Sequence, residues 1–254
     1  PGCCFIWPIA TTWRERTDLA ETSLRWGLLG TARINQRLIP AIRAAGRSEL
    51  IAVASRESLR AAAFAAEWNI PRAYGRYQEL LADPEIDAVY IPLPNHLHEE
   101  WTIKAAEAGK HVLCEKPLAL TTEAVDAMTA AAWQNRVVLQ EAFAYRFHPQ
   151  TKKVRELVQS GTIGQVRALR SDFSLVLDNP GDYRLVPEMG GGSLWDIGCY
   201  PVSFFRFVLD AEPVEVVGWN GPDQKRWIWL SPGSCGFRRM YLRSSSAASA
   251  AQDT

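Results

Sequence analysis

Residues 24–35 read LRWGLLGTARIN, and this stretch decides the fold. Leu24 to Leu29 is a short apolar run that stops at Gly30, as a strand buried on both faces of a parallel sheet would. Helical composition follows at once, so the chain turns at Gly30 from strand into helix. Set against the dinucleotide fingerprint GxGxxG/A, Gly30 takes the first glycine position, Ala32 the second and Asn35 the third. Ala32 is small enough to let backbone approach a pyrophosphate, and the helix start offers free N–H groups with partial positive charge. The same residues also suit an ordinary tight turn, and the pattern by itself does not choose.

Outward from this turn, strands and helices alternate. The spacing predicts a helix over 31–45 kinked at Pro40, a strand over 49–54, and helices over 57–68 and 77–81. A strand over 88–91 is broken by Pro92 and Pro94, and a helix over 97–108 stops at Gly109. A strand over 111–114, a helix over 122–133 capped by Thr121 or Thr122, and a strand over 137–140 complete the series. The expected fold class is α/β: a Rossmann-type doubly wound parallel sheet spanning 24–144.

After Tyr145 the rhythm changes. A helix over 150–159, an alternating strand over 166–176, a helix over 193–209 entered through Gly190-Gly191-Gly192, and a strand over 214–219 predict an α+β unit with antiparallel sheet over 145–220. That unit stops after few strands and is expected to be incomplete. Residues 1–23 read as an irregular leader, and 221–254, ending in a Ser/Ala-rich stretch, as a disordered tail.

Composition narrows the function classes. The 254 residues carry 28 Lys plus Arg against 28 Asp plus Glu, so no basic face for nucleic acid or an anionic membrane is expected. The longest apolar runs, such as 3–10, fall far short of the roughly 20 residues of a membrane helix. Cys3, Cys4, Cys114, Cys199 and Cys235 are odd in number and scattered, which predicts neither a disulfide framework nor a zinc site. A reduced, cytoplasmic compartment is the expectation. No basic segment precedes residues 3–10, so a signal peptide is not expected, and the start at Pro1 suggests a fragment or processed product.

The ends of the parallel strands carry the chemistry, because doubly wound sheets bind ligands there. The second strand ends in Ala54-Ser55-Arg56, where an NAD site places Asp or Glu. Ser55 can hydrogen-bond a 2′-phosphate and Arg56 can pair with it, so NADP is favoured over NAD, with Glu57 as the rival acid. The third strand ends in YIPLPNHLH (90–98) and the fourth in Cys114-Glu115-Lys116-Pro117. The expected cofactor contacts are Gly30, Thr31, Ala32, Arg33, Ile34, Ser55, Arg56, Tyr77, Pro92, Leu93, Asn95, His98, Glu115 and Lys116. His96 and His98 with Glu99 and Glu100 lack an evident third ligand, and no metal is expected.

Five motifs in order, GLLGTARI (27–34), YIPLPNHLH (90–98), Glu115-Lys116-Pro117, EAFAYRFHP (141–149) and GGGSLWDIGCYP (190–201), together resemble the Gfo/Idh/MocA family, in its glucose–fructose oxidoreductase, D-xylose dehydrogenase and dimeric dihydrodiol dehydrogenase branch. The resemblance implies NAD(P)-dependent hydride transfer at a carbinol carbon of a sugar, polyol or cyclic diol. It implies Lys116 as catalytic lysine, a cis peptide before Pro117, Tyr200 as acid/base and Asp196 as the acidic residue one turn earlier. Tyr145 and Arg146 at the domain junction, with Asp182 and Arg184, are expected near the substrate.

Such chemistry is consistent with these residue types. Oxidising an alcohol needs a base for the hydroxyl proton, and a free tyrosine, with a pKa near 10, is a poor one. The Lys116 ammonium and a cationic nicotinamide are expected to lower it. Asn35 departs from the small residue usual in the fingerprint and is expected to weaken helix–strand packing mildly. The early end of the second domain, with strands expected to be missing after residue 220, suggests a truncated or frameshifted reading frame. Homo-oligomerisation is therefore expected of a full-length relative and not of this chain. A nucleotide-binding protein without turnover is the competing function class.

Overall fold

A computed structural model of the protein describes residues 23–177 and 179–217, together with strands at 229–231, 234–237 and 241–244. Six parallel strands form the main sheet: β1 (Leu24–Leu29), β2 (Ser48–Ala54), β3 (Arg72–Tyr74), β4 (Ala88–Ile91), β5 (His111–Cys114) and β6 (Leu139–Glu141). Their order is β3-β2-β1-β4-β5-β6, so the winding reverses between β1 and β4. A crevice opens at such a reversal, at the carboxyl ends of the strands.

Both faces of the sheet are covered because neighbouring residues along each strand serve opposite cores. Leu28, Val53 and Tyr90 pack beneath α1 (Asn35–Ala44) and α2 (Ser58–Trp68), with Ile39, Ile42 and Ala65. Leu29, Val89 and Ile91 pack on the other face against α3 (Tyr77–Ala82), α4 (His98–Glu107) and α5 (Thr122–Gln134), through Leu80, Trp101 and Met128. Thr121 caps α5, its side chain accepting the Ala124 N–H.

The structure moves several expected boundaries. The first helix starts at Asn35, not Thr31, because residues 31–34 form the turn off β1. Pro40 lies inside α1 on its exposed side, so the helix continues past it to Ala44. β3 escapes sequence reading: three residues, Arg72-Ala73-Tyr74, carry no apolar run, yet they extend the edge beside β2. The last strand begins at Leu139 because Val137 packs with Ala106, Ala131 and Ala132 at the helix ends instead.

Beyond β6 the chain forms a 3₁₀ turn at Ala144–Phe147, α6 (Pro149–Gln159), two further 3₁₀ turns at Tyr183–Leu185 and Pro187–Met189, and a π-turn at Leu194–Gly198 that runs into α7 (Cys199–Leu209). The strand expected over 166–176 forms only as β7 (Phe173–Val176), because its partner β10 (Ser234–Phe237) reaches only those residues. β9 (Trp229–Ser231) adds to β10, and β8 (Pro213–Val217) pairs with β11 (Tyr241–Ser244), all antiparallel. The stretch after residue 220, which lacks a sequence period, thus contributes three short strands. Residues 1–22, read as leader, and 218–219, read as strand, lie outside the described residues. Among the described residues no helix is long and apolar enough to cross a membrane.

Candidate active site

The turn after β1 is built for close approach. Gly30 has φ +118°, a conformation that side chains disfavour, and a Cβ there would stand 3.2 Å from Leu93 Cδ2. Asn35, expected to loosen this corner, closes it: its fully buried Nδ2 donates to the Gly30 carbonyl at 2.8 Å. The backbone N–H groups of Thr31, Ala32, Arg33 and Ile34 find no acceptor among the described residues, and Ile34 gives α1 no side-chain cap. Gly30 and these N–H groups fit a dinucleotide pyrophosphate. Tyr77 borders the cradle, its ring edge-on to Trp101 at 4.8 Å and its Oη 3.9 Å from where a Gly30 Cβ would stand. At the end of β2, Ser55 is buried and its Oγ accepts the Glu57 N–H at 3.4 Å, while Arg56 is exposed. Pro92 and Leu93 line the buried end of β4.

Lys116 stands two residues after the end of β5, and the Lys116–Pro117 peptide is cis. Its Nζ donates to Asp196 Oδ1 at 3.0 Å and to the Asp196 carbonyl at 2.6 Å, across 80 residues of sequence. It also stands 5.1 Å from the Tyr200 ring centroid. Asp196 lies in the π-turn and Tyr200 in the first turn of α7, so the two sit four residues apart and both meet Lys116. Single π-turns in α-helical surroundings recur at functional sites.

The charges alternate outward from this pair. Asp196 Oδ2 lies 3.7 Å from Arg184 Nη1, and Arg184 grips Asp182 with Nε at 2.9 Å and Nη2 at 2.8 Å. Asp182 and Arg184, expected to contact substrate, spend these groups on each other and face the lysine's partner. The Arg184 guanidinium helps to hold the Asp182 carboxyl below the usual carboxylate range, against the opposing effect of burial.

Among the protein's own groups, burial comes first in raising the Tyr200 phenol's pKa, followed by Glu115, Cys199 and Asp196. The Tyr200 ring packs against Phe143 at 5.3 Å, Phe173 at 5.6 Å and Tyr145 at 6.1 Å.

Other expected contacts take different places. His98 is fully buried, with Nδ1 2.8 Å from the Pro117 carbonyl and Nε2 2.8 Å from the Leu93 carbonyl, so it ties two loops together instead of lining the cleft. Burial lowers its pKa, and a neutral ring donates to one of the two carbonyls at a time. Asn95 donates to the Gly190 carbonyl at 2.8 Å, fastening the Gly190-Gly191-Gly192 stretch to the 3₁₀ turn that follows β4. Glu115 Oε1 accepts the Tyr90 hydroxyl at 2.6 Å. Tyr145 gives its hydroxyl to Ser203 at 2.7 Å, beside Tyr200. Arg146 is not brought to the lysine: its guanidinium lies over Phe207, 5.2 Å from the ring centroid. Sequence reading passed over Glu141, which ends β6 and accepts the Leu118 N–H at 2.9 Å. Its place at the carboxyl end of a parallel strand was the available signal.

A family profile described as an oxidoreductase family with an NAD-binding Rossmann fold matches residues 24–143, and the GFO/IDH/MocA C-terminal domain profile matches 151–226. The chain belongs to the GFO/IDH/MocA oxidoreductase family. Within this family, D-xylose 1-dehydrogenase (NADP(+)) 2 of Haloferax volcanii is 48% identical over 188 residues, which cover 73% of this chain and 57% of that protein. The trans-1,2-dihydrobenzene-1,2-diol dehydrogenase of Xenopus laevis is 38% identical over 78% of this chain and 60% of its own length. The crystal structure of KijD10, a 3-ketoreductase from Actinomadura kijaniata, in complex with NADP and TDP-benzene, superimposes with a TM-score of 0.69 at 36% identity, over 77% of this chain and 61% of that one. The GFO/IDH/MocA chain described here thus spans about three-fifths of the length of these relatives.

Proposed function

We propose that the chain acts as an NAD(P)-dependent oxidoreductase that moves hydride between a nicotinamide and a carbinol carbon of a sugar, polyol or cyclic diol, with NADP favoured. The observation that carries this reading is the Lys116 Nζ contact with Asp196 Oδ1, at 3.0 Å, beside the Tyr200 ring and at the strand edge that bears Gly30. The proposed domains are 24–144 for the dinucleotide and from 145 for the substrate. Names of relatives, an NADP-dependent xylose dehydrogenase and an NADP-bound 3-ketoreductase, support the same class.

The proposed division of labour is as follows. Gly30 and the N–H groups of residues 31–34 hold the pyrophosphate, and Ser55 and Arg56 hold the 2′-phosphate. The nicotinamide, when bound, accepts or returns the hydride. Tyr200 Oη holds the proton exchanged with the carbinol oxygen. Lys116, fixed by Asp196, keeps a positive charge beside the ring and orients the hydroxyl. Burial and the nearby carboxylates favour the protonated phenol, the form that donates to a carbonyl oxygen in the reducing direction. NADPH fluorescence titration followed by turnover with a panel of aldoses, cyclic diols and their ketones tests the reading. NADPH binding with no turnover anywhere in the panel would leave nucleotide binding alone.

A further inference from the structure

The turn that carries Lys116 is held at successive peptide groups by side chains, one from the turn itself and two from other elements. The Lys116 N–H is accepted by Glu115 Oε2 at 3.2 Å, and Glu115 is fixed in turn by the Tyr90 hydroxyl of β4. The Pro117 carbonyl meets His98 Nδ1 of α4 at 2.8 Å. The Leu118 N–H is accepted by Glu141 Oε1 of β6 at 2.9 Å. Glu141 stands directly beside Cys114 in the sheet register, so β6 delivers this carboxylate to the point where β5 releases the lysine.

We infer that Glu141 and His98 form a clamp that positions Lys116, with Glu141 as the stronger jaw. Neither touches the reacting atoms in this assignment, and both act through the backbone of residues 116–118. The inference rests on the function proposed above, in which Lys116 is catalytic.

Three features distinguish a clamp from ordinary satisfaction of polar groups. First, a partly buried carboxylate is used for one backbone N–H, although a hydroxyl or a water would satisfy it. A charged acceptor makes the stronger and more directional bond. Second, the jaws come from two separate elements, α4 and β6, and grip neighbouring residues. Third, the lysine tip must meet two oxygens of Asp196 from the other half of the molecule, at 2.6 and 3.0 Å. A displacement of about 1 Å at such a group can cost roughly a hundredfold in rate.

The test compares Glu141→Met, Glu141→Gln, His98→Gln and Lys116→Met with the unaltered chain, together with the Glu141→Met/Lys116→Met and His98→Gln/Lys116→Met doubles. NADPH affinity is read by fluorescence, kcat with the best substrate of the panel, and Leu118 amide exchange by hydrogen–deuterium NMR. Glu141→Met is expected to lower kcat about 10- to 100-fold, with little change in NADPH affinity, and to speed Leu118 exchange. Glu141→Gln keeps an acceptor oxygen and is expected to recover part of that loss. In the Lys116→Met background neither clamp variant lowers kcat further. Equal losses for the Met and Gln variants, full additivity with Lys116→Met, or loss of NADPH affinity in step with kcat would each overturn the clamp. Where Glu141→Met does not fold, Glu141→Gln and the His98→Gln cycle carry the same comparisons. Where the unaltered chain shows no turnover, the proposed function falls by itself. The positioning of Lys116 is then read at its own side chain: a shifted Lys116 ammonium NMR signal together with faster Leu118 exchange in the Glu141 variant sustains the clamp, and an unmoved ammonium signal ends it.

Discussion

The two halves of this molecule hold their sheets in opposite ways. In the parallel half, Leu28, Leu29, Val53, Val89 and Ile91 are wholly shielded, because helices cover both faces. In the antiparallel part, Val176, Val214 and Val216 are 73%, 61% and 60% exposed. The first region is stabilised by apolar area removed from water, at about 25 cal/mol per Å². The second owes little to such burial at these strands and is fastened instead by point contacts such as Asn95 to Gly190 and Lys116 to Asp196. At these strands apolar burial thus belongs to the parallel half, while the proposed chemistry depends on where the halves touch.

That contrast can be broken at its sharpest point first. Lys116→Met should lower turnover by roughly 10²–10⁴-fold, the usual scale for acid–base chemistry, while fluorescence-measured NADPH affinity stays near that of the unaltered chain. A parallel fall in both would mean that the contact only staples the halves together. Next, Ile91→Ala should cost about 2–5 kcal/mol in denaturant unfolding, whereas Val216→Thr should stay within about 0.5 kcal/mol. Similar losses at both sites would erase the difference between the regions.

A finer probe is Arg56→Ala, which should weaken NADP binding by about 1.5–3 kcal/mol and NAD binding far less. Equal weakening in paired titrations would place the arginine away from the 2′-phosphate. The last prediction concerns alkali. Burial raises the phenols of Tyr90, Tyr183 and Tyr200, with Tyr183 pushed up to about 12. A raised folded-state value means that this contribution is fully present below the unfolded pKa of about 10 and is lost as pH climbs through the folded value. Thermal unfolding should therefore hold steady as pH approaches 10 and decline above it, with Tyr183→Phe softening the decline slightly. A flat profile beyond pH 11 would contradict the burial of these phenols.

The parallel half was legible because its signals are local. A buried strand needs a run of apolar residues, and a turn with positive φ needs glycine, so Leu24–Leu29 and Gly30 announce themselves without knowledge of their neighbours. The catalytic candidates Lys116, Asp196 and Tyr200 were legible through the motifs that carry them. What was hidden was partnership. No local pattern assigns the orphan carbonyl of Gly30 to Asn35, turns Arg146 toward Phe207, or places Glu141 under Leu118.

The direction of the Tyr200 shift belongs to the same hidden class. Spacing in the sequence shows a lysine and a tyrosine that could meet, and Coulomb attraction alone argues for a more acidic phenol. Only the packed molecule decides how much water is removed from that phenol and which carboxylates and thiols surround it. The shift depends on everything within several ångströms, drawn here from the turn after β5, from β6, from the π-turn and from α7, and no stretch of sequence contains that sum. The sequence by itself therefore determined which residues could do chemistry at the edge of a parallel sheet. The tertiary structure alone decided which of them meet, and in which direction burial and neighbouring charges push their titration, because both depend on atoms distant along the chain.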